Sequence, residues 1–220
     1  MAKKAKVKRQ DTTIDMTAMC DVSFLLLTFF VLTAQARQEE TLMVDTPAST
    51  TQDKLPDDNL GIITVGDGGK VFFSIKDFEV RKKTLENMSA QYGISFSEED
   101  YEKFRLTEDF GVPIENLRQL LSLDKADIDD TMQSGIPVDS TEDKSNELYH
   151  WVQQSRLATV SVERERESED SRYKAKGPMK IAIKADAEEK YPIINLIIET
   201  LRNQKQNKFS FVTGLRSDVE

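Results

Sequence analysis

The sequence predicts an α+β protein: a single N-terminal transmembrane helix followed by a small domain with helices packed on a mixed β-sheet. Three observations carry this. Apolar residues concentrate in one run, Met16 to Ala36, in a chain that is 38% hydrophobic and 31% charged overall. Short β-branched and aromatic runs, "LGIITV" and "KVFFSI", flank a glycine cluster. The last forty residues read strand, helix, strand.

The apolar run comes first. As a helix, its 21 residues rise roughly 31 Å, the thickness of a bilayer core. Lys3, Lys4, Lys6, Lys8 and Arg9 precede it, against Asp11, Asp15 and Asp21 within residues 1–36. That balance of +2 leaves −11 for the rest of a chain whose net charge is −9. Basic residues ahead of a span place the N-terminus in the cytoplasm and the acidic body on the far side. The boundaries expected are a basic tail over 1–15, the span over 16–36, an extended linker over 37–59 and the folded domain over 60–220. A cleaved signal peptide is the alternative, since "TAQAR" offers an Ala34-Gln35-Ala36 cleavage pattern. Against it stand the long region before the apolar core and its acids, Asp11 and Asp15.

An acidic body argues against a nucleic-acid partner. One cysteine, Cys20, excludes an intrachain disulfide. There is one histidine, no metal-ligand spacing and no nucleophile–base pattern, so neither an enzyme nor a cofactor is expected.

In the body, "GDGG" (Gly66 to Gly69) reads as a hairpin turn, because Gly and Asp tolerate positive φ. A phosphate loop would need a Ser or Thr after Lys70, which is absent. Residues 76–160 read helical. Ser97 with Asp100 forms a capping-box pattern, and Pro113 opens a helix with Ile114, Leu117, Leu120 and Leu121 on one face. A third helix is expected from Ser140 or Thr141, with Leu148, Trp151 and Val152 facing inward and His150 solvated. The charge run "VERERESEDSRYKAKG" reads as a solvated helix end or loop. "PMKIAIKAD" alternates as a strand. Pro192 then starts a helix striped with Ile194, Ile197, Ile198 and Leu201, and "KFSFVTG" closes a right-handed crossover.

Asp21 is the residue that asks for a reason. On a helix it shares a face with Thr17, Thr28 and Gln35, while Val22, Leu26, Phe29, Phe30 and Val31 occupy the others. A carboxylate at membrane depth costs roughly 2.5–3.5 kcal/mol on insertion scales. Desolvation disfavours the charged form of any carboxylate and so brings proton uptake and release toward neutral pH. Two readings stand at this point. Asp21 is a proton carrier in a wet seam between helices, or it caps the helix at the interface. One span cannot enclose a proton path, so the first reading demands partner helices.

"DMTAMCDVSFLLLTFFVLTA", "LMVDTPAST" and "MKIAIKADAEEKYPIINLIIETLRNQKQNKFSFVT" together resemble the ExbD/TolR family of biopolymer transport proteins. Ala18 stands where that family usually has proline. The resemblance implies a subunit of an inner-membrane motor that uses proton-motive force to energise TonB-dependent outer-membrane transport, or a TolR-like subunit serving envelope maintenance. Asp21 aligns with the family's proton-carrying aspartate; Thr17, Thr28 and Gln35 line the seam; Asp45 and Pro47 fall in its partner-contacting stretch. The implied partners are a ring of ExbB-like multi-span subunits, a second copy of this chain as a homodimer, and a TonB-like protein. The implied location is the bacterial inner membrane, with the C-terminal domain periplasmic. Residues 77–145 read as a helical insertion, and deleting residues near 85–135 should spare proton coupling but alter partner choice. A flagellar-type stator also pairs one span with an Asp, but its cell-wall-binding motifs are missing here.

Overall fold

The computed structural model describes residues 16–34, 42, 44–49, 55–56, 58–123 and 132–215. The chain divides into two compact units, Met1–Glu39 and Glu40–Glu220.

The first unit contains helix α1, Met16–Thr33, with a mean hydropathy of 1.9 and no buried residue. Three of its hydroxyls are satisfied internally. Ser23 Oγ donates to the Met19 carbonyl (2.8 Å), Thr28 Oγ1 to Leu25 (2.9 Å) and Thr33 Oγ1 to Phe29 (2.7 Å). Such back-bonding removes bare donors from an apolar surface. Phe24, Phe30 and Leu32 are exposed all around the helix. Eighteen residues as a helix are long and apolar enough to cross a membrane.

In the second unit, β1 is Ala48–Ser49, β2 Leu60–Gly66, β3 Lys70–Ile75, β4 Asp109–Phe110, β5 Lys180–Ala185, β6 Phe209–Val212 and β7 Gly214–Leu215. Five of these form a mixed sheet in the order β4-β3-β2-β5-β6, while β1 pairs with β7 in a small parallel pair. β2 and β3 are antiparallel, joined by the hairpin the glycines predicted. Asp67, Gly68 and Gly69 all have positive φ, and the Gly69 amide donates to the Gly66 carbonyl. At φ 101° any side chain on Gly69 would be strained, and its Cβ would also displace the end of Ile193. β2–β5 and β5–β6 are parallel. The β5–β6 link carries helix α6, Tyr191–Asn203, with Pro192 in its first turn.

Among the described residues, four helices join β3 to β5. α2, Phe78–Tyr92, is capped by Asp77 and ends at Gly93 in the left-handed region. α3, Glu98–Leu106, carries the expected capping box of Ser97 and Asp100. α4, Ile114–Ser122, buries Ile114, Leu117, Leu120 and Leu121, as its periodicity predicted. α5, Glu147–Glu169, starts later than the sequence suggested: its cap is Asn146, whose side chain accepts from the Tyr149 amide. Thr141 is occupied elsewhere, its hydroxyl bonded to Asp143 and Ser145 in the preceding turn.

Two further expectations change. His150 is buried, at 7% exposure, not solvated. Its Nδ1 lies 2.7 Å from Gln91 Nε2 and its Nε2 3.2 Å from the Asp143 carbonyl, so α2 and the 143 turn cover that side of α5. The charge run is helical through Glu169 and not wholly solvated. Glu163 turns inward and accepts from Tyr173 Oη (2.9 Å) and the Lys176 amide (2.6 Å).

Residues 77–145 pack into the core of the body. Leu85, Met88, Phe104, Phe110 and Leu117 from this stretch are all within 1% of full burial, in one core with Trp151 and the sheet residues Ile63, Phe73 and Ile183. The Phe110 and Trp151 ring centroids are 4.6 Å apart. Removing such side chains leaves cavities costing about 3–5 kcal/mol each for aromatics. A deletion near 85–135 would take Leu85, Met88, Phe104, Phe110 and Leu117 out of this core.

Candidate functional site

Two regions hold the residues singled out by sequence: the acidic face of α1 and the crossing segment after it.

Asp21 is the only charged side chain in α1, and it is exposed. At 100° per residue, Thr17 and Thr28 sit within about 40° of it, so the three share one face. Cys20, beside Asp21, is a free, exposed thiol. Phe24 and Leu25 border the acid and are exposed at 64% and 58%. No basic side chain in the helix offsets the carboxylate. A lone carboxyl on such a helix can take up and release a proton, or accept a hydrogen bond at the helix end. Among the described residues, no group of three His, Cys, Asp or Glu is placed to hold a metal. Gln35 lies outside the described residues.

The second region, Leu42 and residues 44–49, crosses the carboxyl ends of the parallel strands. A Cβ on Gly66, at the end of β2, would fall 2.7 Å from Val44 Cγ1 and 3.3 Å from Leu42 Cδ2. The absence of a side chain there lets the segment pass. At the end of β5, the Asp45 amide donates to Asp186 Oδ2 (3.2 Å), and the Ala187 amide donates to the Asp45 carbonyl (2.8 Å). Beyond β6, the Gly214 amide donates to the Pro47 carbonyl (3.0 Å), and β1 continues alongside β7. Val44 and Thr46 are half-buried while Asp45 and Pro47 are exposed, the alternation of an extended chain on a surface. The backbone of Asp45 and Pro47 thus holds the domain, and their side chains face outward. Gly66 and Asp186 receive this segment, and sequence reasoning missed both. The only available signal was an acid placed just after the alternating strand.

Residues 7–215 match the family described as biopolymer transport protein ExbD/TolR. The chain belongs to the ExbD/TolR family. No curated protein and no solved structure matches it. As an ExbD/TolR protein, it is a membrane-anchored component of a biopolymer transport system, in a family of transport accessory proteins rather than enzymes. The match takes in α1, the crossing segment and the whole sheet.

Proposed function

We propose that this ExbD/TolR protein is the proton-motive-force-transducing subunit of an inner-membrane ExbB/ExbD-type motor that energises TonB-dependent outer-membrane transport. Asp21 carries the proton. The observation that supports this is a single carboxylate on an otherwise uncharged, uncovered helix of membrane-crossing length. An unpaired acid at such depth is costly and calls for a use.

In this reading α1 crosses the inner membrane once, with the N-terminus cytoplasmic and the α+β body periplasmic, following the basic tail ahead of the span. A ring of ExbB-like subunits and a second copy of the chain supply the remaining walls of the seam. Thr17, Thr28 and Gln35 line it. Protonation of Asp21 removes a charge from the seam and lets the helix move past apolar ring surface; release on the other side restores the charge and commits the step. The crossing segment then passes that motion to the body through the carboxyl ends of β2 and β5. The exposed side chains of Asp45 and Pro47 meet a TonB-like partner there. Asp21→Asn tests the reading, because amide and carboxyl match in shape and only the acid titrates. Assembly with the ring should persist while energised uptake is lost; normal uptake by that variant removes Asp21 from the mechanism.

A further inference from the structure

We propose that Thr28 is a positioning residue for proton movement: its hydroxyl anchors the water that links Asp21 to the far side of the span. This rests on the reading of Asp21 as the proton carrier.

Thr28 is the one residue of α1 that is half-buried; every other is exposed. It lies one heptad beyond Asp21, about 20° round the helix and about 10 Å along it. A gap of that length takes about three waters at ordinary hydrogen-bond spacing. The side chains between them on that face are Phe24 and Leu25, which offer water nothing. Thr28 is therefore the next polar group on the acid's own face. Its hydroxyl proton is committed, donated to the Leu25 carbonyl at 2.9 Å. A hydroxyl has two acceptor lone pairs, and with its proton directed at the backbone these remain for a water to donate into. The proton balance is simple. A proton leaves the Asp21 carboxyl for the first water, one is handed along the chain, and one departs at the far end. Thr28 neither gains nor loses a proton; it holds a water where an apolar seam would otherwise stay dry.

The helix provides its own controls. Ser23 and Thr33 also donate to the backbone, to the Met19 and Phe29 carbonyls four residues back, where Thr28 reaches three residues back to Leu25. They lie about 160° and about 120° round from Asp21, on other faces. All three hydroxyls commit their proton to a backbone carbonyl, and Ser23 and Thr33 differ from Thr28 chiefly in the face they occupy.

The experiment is proton flux into dye-loaded vesicles carrying the full chain in its copurified membrane complex. Thr28→Val keeps the shape and should lower flux about tenfold with the complex intact, the scale expected for one lost hydrogen bond to the path. Thr28→Ser should recover most of it, and Ser23→Ala and Thr33→Val should match the wild type. Wild-type flux in Thr28→Val overturns the proposal, as does Thr28→Ser failing to recover, or the two controls falling equally. If Thr28→Val does not assemble, Thr28→Ala carries the same test, and loss of assembly in both overturns the proposal by making Thr28 a packing residue. Asp21→Asn, run in parallel, separates the two claims. Flux in that variant sinks the carrier reading itself, whereas a dead Asp21→Asn beside a normal Thr28→Val sinks only the water anchor.

Discussion

Glu147 Oε2 accepts a hydrogen bond from the Ile114 amide at 2.8 Å, joining the first turn of α5 to the first turn of α4. Pro113, at the cap position of α4, has no side chain able to do this. A carboxylate from another helix closes the open amide end instead, and the helix dipole favours a negative group there.

That contact has a pH signature. Burial, the largest cause, pushes the Glu147 carboxyl above its ordinary value, against the Ile114 hydrogen bond that pulls it down, with Glu115 adding to the rise. A group raised in the folded state contributes stability that is present below its unfolded value and fades as pH climbs through the folded one. Glu147→Gln should therefore flatten the stability change between mildly acidic and neutral pH while keeping an acceptor for Ile114. Urea unfolding of the full chain in detergent across that range checks it.

Asp77 behaves in the opposite sense. Burial pushes its carboxyl up, but the Arg166 hydrogen bond and charge, with the Val80 and Glu79 amides, outweigh this and hold it below the usual carboxylate range. Its contribution is present above the unfolded value, near 4, and is lost as pH falls through the lowered one. Arg166 meets it with two bonds, at 2.6 and 3.0 Å. Asp77→Ala loses the α2 cap and this pair, and should cost about 1–3 kcal/mol at neutral pH. The deficit should shrink in strong acid, measured by unfolding at pH 7 and pH 3.

Phe104 stacks on Trp151 with ring centroids 5.8 Å apart, at full burial. Phe104→Ala should cost about 3–5 kcal/mol. Deletion of residues 77–145 should leave no cooperative thermal transition in the body. A deletion variant that melts cooperatively would contradict the packing described.

The crossing segment depends on one side-chain acceptor at the end of β5. Asp186→Ala removes the bond to the Asp45 amide. Hydrogen exchange should quicken at Asp45 and Ala187, with β3 amides such as Phe73 unchanged.

Local rules read much of this fold. The Ser97–Asp100 box, the Gly66–Gly69 turn, the stripe of α4 and the β5–α6–β6 crossover each rest on residues close in sequence, where periodicity and capping decide. Failures came where a polar side chain meets a distant partner. His150 is buried by Gln91, 59 residues away, and Glu163 by Tyr173 and Lys176; a half-polar helix face gives no hint of either. Asn146 displaced Ser140 and Thr141 as cap because the turn before α5 uses Thr141 itself. β4 is two residues long, too short to carry a pattern. In the site, the face shared by Thr17, Asp21 and Thr28 follows from helical spacing alone. The seat of Asp45 and Pro47 required Gly66, Asp186 and Gly214, which only the folded chain brings alongside.

The most direct measurement is proton flux through the purified membrane complex in vesicles, wild type against Asp21→Asn, with equal amounts of assembled complex confirmed in both. Flux that disappears in the variant is the expected result. Flux equal to the wild type would mean that protons cross without this carboxyl.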